Sequence, residues 1–319
     1  MIQGLVSTII PVYNRPARLV VAVESVVAQG YRPVEILIVD DGSTDDTGQV
    51  AEDLARRHPE VLVIHQANVG PGGAREAGRL RARGEFVQYL DSDDLVLPDK
   101  FEAQVTGLRA HAECGVSYGW TQYRRADGSL DPSRWKPTGH VARHLFPSFL
   151  RERWWETATP LFRASVCQAV GPWADLRLEE DWEHDCRVAA LGVELHYHPA
   201  FVAEHRHHSE HRLSGAGLAP RALAQRARAH ELILGHARRA GLGPEAPEME
   251  HFARELFLLA RQCGAGGLAC ESRRLFELAR GASGPERRGL DFRIYRLATA
   301  LLGWRVAGAL ACRIDRLRS

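Results

Sequence analysis

Lysine is almost missing from this chain. Of 41 basic side chains only Lys100 and Lys136 are lysines, and the formal net charge is +1. A near-neutral balance gives no basic footprint for nucleic acid, so no nucleic-acid partner is expected. The arginine excess reads as codon usage, not as a phosphate-binding design. Cysteine is sparse and scattered: Cys114, Cys167, Cys186, Cys263, Cys270 and Cys312 include no C-x-x-C pair. That speaks against a structural zinc site and suits a reducing cytosol. No uninterrupted apolar run reaches the roughly 20 residues of a transmembrane helix. Met1-Ile2-Gln3-Gly4-Leu5 lacks a basic n-region and a cleavage site, so the expected location is cytoplasmic. The first βα turn has no G-x-G-x-x-G, which disfavours a dehydrogenase.

What is present is enough to pack. The 319 residues are 45% apolar and 25% charged, sufficient for two domains or one large domain with an appendage. The first half alternates strand and helix patterns. Leu5 to Val12, Val34 to Val39, Val61 to His65 and Phe86 to Leu90 read as buried strands. Between them, helices are expected from an Asn14 cap through Gln29, from a Ser43 cap through Arg57, and from the Gly70-Pro71-Gly72-Gly73 turn through Arg83. This order implies a mostly parallel sheet with helices on both faces. Further on, a strand is expected over 115–123, a turn at 126–129, a strand over 154–162, a helix over 179–191 and one or two strands over 193–205. After about Gly217, Ala, Leu, Arg and Glu dominate, and helices are expected near 220–240, 246–262, 268–280 and 290–316. The expected division is an α/β domain over 1–216, in two halves that meet at about 123, then a helical region over 217–319.

The chemistry-bearing residues follow the strands. Asp91-Ser92-Asp93 comes after Phe86-Val87-Gln88-Tyr89-Leu90. In an open α/β sheet, ligands bind at the carboxyl ends of strands. Paired carboxylates there suit Mg²⁺ or Mn²⁺, which takes its remaining ligands from phosphate and water. Asp40-Asp41-Gly42-Ser43 ends the second strand, where carboxylates can accept from a nucleobase N–H and ribose hydroxyls. Pro11-Val12-Tyr13-Asn14 ends the first and can frame the same base. Asn68-Val69-Gly70 and Arg75 follow the third, with glycines for close approach and a planar donor fork. Parallel topology brings all four sets to one edge, which separate acidic turns would not require.

Together these motifs resemble the family 2 glycosyltransferases, which have the GT-A fold, a Rossmann-like α/β sheet. The resemblance covers about residues 5–215. It rests on Ser7-Thr8-Ile9-Ile10-Pro11-Val12-Tyr13-Asn14, Val39-Asp40-Asp41-Gly42-Ser43-Thr44-Asp45, Asn68-Val69-Gly70 with Ala74-Arg75, Leu90-Asp91-Ser92-Asp93-Asp94 and Glu180-Asp181-Trp182. It implies that Pro11, Tyr13, Asp41 and Arg75 contact the base of a nucleotide-sugar donor, usually uracil. Asp91 would sit near the ribose, and Asp93 would hold Mn²⁺ or Mg²⁺ at the diphosphate, with Asp91 and His208 as further metal candidates. Glycosyl transfer to a hydroxyl needs a carboxylate base. The resemblance assigns Asp181, with Glu180 orienting acceptor or base, and implies an inverting displacement. It also points to Arg206, His208 and Ser214 as a loop over the diphosphate. Glu76 departs from the family, which usually has Asn there.

The acceptor, a glycan or lipid-linked precursor by analogy, is less legible. Trp154, Trp155 and Glu156 are candidates for stacking on a sugar and holding its hydroxyls, against burial in the core. The segment from Arg287 to Ser319 carries eight Arg and two Asp around Leu297, Leu301, Leu302, Trp304, Val306 and Leu310. It resembles a basic amphipathic helix able to lie on the inner face of a membrane; packing on a partner or on the catalytic domain is the alternative. A homo-oligomer is left open. The rival readings are a nucleotide-binding scaffold without catalysis and a sugar-phosphate nucleotidyltransferase, whose Gly-rich first loop is absent here.

Overall fold

In the computed structural model, residues 1–207, 218–284 and 289–318 are described. β1 (Ile2–Val12) is buried from Gly4 onward. A strand covered on both faces needs apolar side chains at odd and even positions, and its sequence supplies them. Val6 and Ile10 belong to a core with Leu19, Val23 and Val26 of α1 (Pro16–Val27) and Ala51 and Leu54 of α2 (Thr47–Arg57). Ile9 points the other way, onto α3 (Pro71–Arg81), where Gly78 leaves room: a Cβ there would come within 2.4 Å of Ile9.

β1 pairs in parallel with β2 (Val34–Asp40) and β4 (Gly84–Tyr89), and β2 with β3 (Val61–His65). The remaining strands are β5 (Leu95–Val96), β6 (Cys114–Arg124), β7 (Leu161–Arg163) and β8 (Glu194–Arg206). They complete an eight-stranded sheet of order β3-β2-β1-β4-β7-β6-β8-β5. β6 and β8 are parallel; β7 runs antiparallel to β4 and β6, and β5 to β8. The sheet is therefore mostly parallel, with antiparallel pairing confined to short strands. α4 (Lys100–Ala110) and α6 (Ala164–Val170) also pack on it; neither was among the expected helices.

The chain forms two compact units. One holds 1–145, 153–175 and 191–210; the other holds 146–152, 176–190 and 211–319. The boundary expected at 216/217 lies outside the described residues. Two segments that precede it belong to the second unit, with α5 (Ser148–Arg151) and α7 (Glu180–Ala190). The second unit continues as α8 (Pro220–Arg239), α9 (Pro247–Ala265), α10 (Ala269–Ala282) and α11 (Leu290–Arg318). Its interior includes the rings of Phe257, Phe276, Phe292, Tyr295 and Trp304. α11 is interrupted at Gly303, whose φ of 76° and ψ of 164° are not helical.

Three local expectations are corrected. Asn14 does not cap α1: it has φ 52°, the cap position is Arg15, and its side chain bonds Thr44 instead. Ser43 does not cap α2, which starts later, at Thr47. Of 154–162, only Leu161 and Phe162 are in a strand. The turn at 126–129 forms as expected, with Gly128 at φ 85° and Arg125 donating to Ser129.

Candidate active site

Because β1, β2, β3 and β4 are parallel, the loops after them share one edge. The loop after β1 is stitched to the loop after β2. Asn14 Oδ1 accepts from Thr44 N (2.8 Å), its Nδ2 donates to Thr44 Oγ1 (3.2 Å), and its backbone N–H donates to Ser43 Oγ (3.0 Å). An asparagine tolerates the left-handed backbone this demands. Tyr13 is exposed beside it, and Pro11 is buried in β1.

Asp40 and Asp41 divide their work. Asp40 accepts from Ser43 N (3.0 Å) and from His65 Nδ1 (3.0 Å). Burial pushes its carboxyl up, but the bonds from Ser43 and His65 outweigh this and hold it below its ordinary value. Asp41 orders the loop after β3: Oδ1 accepts from Gln66 Nε2 (2.8 Å) and Val69 N (2.9 Å), Oδ2 from Gly70 N (2.8 Å). Gly42, which follows Asp41, has φ 76°, and a Cβ there would lie 2.9 Å from Asn68 N, so glycine is required twice over. Asn68 itself is exposed, and Gly70 is buried with φ 95°.

Each outer carboxylate of Asp91-Ser92-Asp93 meets an arginine, one from α3 and one from the loop after β1. Arg75, on α3 and nearly inaccessible, donates from Nη2 to Asp91 Oδ1 at 2.6 Å and lies over the Trp173 ring, 4.9 Å from its centroid. Arg15 pairs with Asp93 Oδ2. The Asp91 and Asp93 side chains stay 32% and 17% exposed, while Ser92 is buried. Among the described residues no three His, Cys, Asp or Glu side chains converge as a metal cage. A hard cation that draws on phosphate and water needs only one or two carboxylates, so the donor set of Asp91 and Asp93 fits Mn²⁺ or Mg²⁺.

Asp94 is a site residue that the sequence motifs alone do not single out. It is buried, accepts from His205 Nδ1 (3.0 Å) and Arg206 N (3.1 Å), and so ties the end of β8 to the loop after β4. Burial raises its carboxyl to about 7, with His205 pulling against that. The run of acids after Leu90 was the available signal. Arg206, expected at a diphosphate, also pairs with buried Glu204, which binds Arg124 as well. His208 and Ser214 lie outside the described residues.

The acceptor candidates separate. Trp154 and Trp155 are 2% and 0% exposed, packed with Tyr118, so stacking on a sugar is corrected to a core role. Their run of bulky apolar side chains is better satisfied by burial. Glu156 accepts from Trp135 Nε1 (2.8 Å) and pairs with Lys136 (2.9 Å). Trp135 stacks on Tyr123, with centroids 4.1 Å apart. Burial raises the Glu156 carboxyl, but Lys136, His205 and Arg153 bring it below its ordinary value. Glu76, the departure noted above, is a local brace that binds Arg79 through both oxygens (2.6 and 2.8 Å) and accepts from Trp173 N (3.3 Å).

Asp181 and Glu180 stand in the first turn of α7, in the second unit. Glu180 is buried and Asp181 half-buried, its Oδ1 accepting from Trp182 N at 2.7 Å. The turn is anchored through its neighbours. Trp182 Nε1 donates to Phe149 O (2.8 Å), and Glu179 pairs with Arg226 (2.8 Å) and His230 (3.0 Å).

Residues 7–166 match the model of glycosyl transferase family 2. The chain belongs to that family. A glycosyltransferase of Rickettsia conorii is 42% identical over 146 residues, 46% of this chain and 24% of that relative. The chain thus spans about a quarter of the length of such curated relatives. Among solved structures, S. aureus TarS 1–349 in complex with UDP-GlcNAc superposes with a TM-score of 0.65 at 19% identity, covering 87% of this chain and 88% of that one. The mannosyltransferase PcManGT of Pyrobaculum calidifontis, in complex with GDP-Man and Mn²⁺, gives 0.54 at 19% identity, covering 96% and 86%. At these identities the likeness is one of fold: the family's sheet, followed by a helical C-terminal region.

Proposed function

We propose that this family 2 chain transfers a sugar from a nucleotide-diphosphate donor, UDP-linked, to a hydroxyl of a glycan or lipid-linked acceptor. The observation that carries the reading is the pair of arginine–aspartate contacts, Arg75 with Asp91 and Arg15 with Asp93, at the edge where four parallel strands end. Phosphate and divalent-metal chemistry calls for that mixture of hard oxygen donors and guanidinium forks. The UDP-GlcNAc on TarS and the GDP-Man with Mn²⁺ on PcManGT support the donor class.

In this reading Pro11, Tyr13, Asn68 and Gly70 frame the base, and Asp41 fixes the loop that closes the slot. Arg75 reaches the base or the first phosphate. Asp40, Asp91 and Ser92 face the ribose, and Arg206, His208 and Ser214 serve the diphosphate. Asp93, with Asp91, would hold the divalent metal, which when bound neutralises charge developing on the leaving diphosphate. Asp181 takes the acceptor proton while the acceptor oxygen bonds the anomeric carbon and the carbon–diphosphate bond breaks on the opposite face. Configuration inverts, so an α-linked donor gives a β-linked product. Glu180 positions the base.

The test is a thermal-shift panel of UDP, GDP, dTDP and CMP with and without Mn²⁺, followed by assay of nucleoside diphosphate release. A ligand at 100 times its dissociation constant stabilises by about 2.7 kcal/mol. A Mn²⁺-dependent shift with UDP is expected; no shift with any nucleotide would overturn the reading. A shift without turnover on any acceptor would instead favour a binding scaffold.

A further inference from the structure

α11 has two faces of opposite character. Phe292, Tyr295 and Ala307 are buried on the inner one. The outer one carries Leu290, Ile294, Leu297 and Leu301 before Gly303, and Val306, Leu310, Ile314 and Leu317 after it, all 45% exposed or more. Their spacing of three and four residues places each set on one side of its helical segment, and in the first segment that side is opposite Phe292 and Tyr295. A row of large exposed aliphatics of this length is rare on a soluble surface.

The charges on α11 differ in their pairing. Both acids are turned into ion pairs with α9, Asp291 to Arg254 and Asp315 to Arg261 (2.7 Å). Arg293, Arg296, Arg305 and Arg313 are exposed. The outer face is thus apolar with a basic border, and each of the two acids that would repel an anionic surface is neutralised by an arginine of α9.

We propose that the outer face of α11 seats the helical unit on an anionic lipid surface. Residues Leu290–Asp315 are long and apolar enough to cross a membrane by length and composition, with a mean hydropathy of 1.3 in an 18-residue window that is 17% buried. The break at Gly303 argues for lying on the surface. It leaves segments of roughly 20 Å each, short of the ~30 Å hydrocarbon core, and a face-down helix needs only one apolar side. A second copy would set the same arginine border against itself, whereas anionic headgroups complement it.

The experiment is flotation of the whole chain with phosphatidylglycerol-containing or pure phosphatidylcholine vesicles, at low and high salt and without donor, so that it does not depend on the transferase reading. Binding to anionic vesicles should exceed binding to neutral ones by about tenfold and weaken with salt. Leu297→Glu with Leu301→Glu and Leu310→Glu, all at exposed positions, should lose flotation while keeping the melting temperature. Arg293→Gln with Arg296→Gln and Arg305→Gln should lose the anionic preference. Absence of wild-type flotation, or undiminished flotation of the glutamate variant, would overturn the proposal. So would sedimentation as a dimer that the glutamate variant dissociates without any vesicle binding by wild type.

Discussion

Arg15 and Asp93 are 78 residues apart in the chain and meet as an ion pair at the mouth of the sheet. Through it the loop after β1 holds one of the two carboxylates offered to a metal. Asp93→Ala should abolish Mn²⁺-dependent nucleotide binding and lower turnover by about a hundredfold or more. Arg15→Ala should leave metal dependence intact and weaken nucleotide affinity by about tenfold, the size of one charge-assisted bond. Titration calorimetry with UDP, with and without Mn²⁺, separates the two, and metal-independent binding by wild type would refute the assignment of Asp93.

Asp181→Asn should spare nucleotide binding and reduce turnover by about 10² to 10⁴. The substitution keeps the size of the side chain at the first turn of α7. Near-normal turnover would remove Asp181 from the role of base.

Asp41→Ala withdraws the acceptor for Gln66 Nε2, Val69 N and Gly70 N together. Unfolding free energy should fall by about 1–3 kcal/mol, and nucleotide affinity should fall with it. Urea melts report the first. Unchanged stability would mean that the loop after β3 holds its shape without the carboxylate.

His65 links Asp40 to Glu52. The bonds to Glu52 and Asp40 raise its pKa above the ordinary 6.5, while Asp40 sits below its ordinary 3.8. The His65 contribution to stability is therefore fully present below 6.5 and is lost as pH rises through the raised folded value. The Asp40 contribution is present above 3.8 and lost as pH falls through the lowered one. The melting-temperature gap between wild type and His65→Asn should be wider at about pH 5.5 than at about pH 8.5. His65 is half exposed, so the gap will be small. An equal gap at both pH values would count against it.

Much of the sheet was readable because buried parallel strands leave apolar runs bounded by turn residues, and β1 to β4 fall where those runs are. The C-terminal helices were legible for a similar reason, since glycines and prolines punctuate them. Partner choice was not. Asn14 and Ser43 carry good capping side chains, yet they bond each other's loops, a preference set by a neighbouring strand that no local pattern reveals. Trp154 and Trp155 could not be told from a sugar platform until Tyr118 appeared against them. Asp94 was hidden by the two acids before it, because its partner His205 lies 111 residues away. α7 joins the helical unit through contacts such as Trp182 with Phe252 and Glu183 with His236, likewise beyond the reach of a sequence window, and α5 is tied to α7 by Trp182 with Phe149.

The scarcity of lysine has a practical side. Lys100 is 1% exposed, donates to Gln104 Oε1 (2.6 Å) and Thr159 O (2.8 Å), and burial lowers its pKa far below that of an ordinary amine. Lys136 keeps 29% of its side chain in solvent. An acylating dye should therefore mark the folded chain at Lys136, the terminal amine aside, and reach Lys100 only when the sheet opens. Counting labels by mass then becomes a clock for unfolding that needs no added probe site.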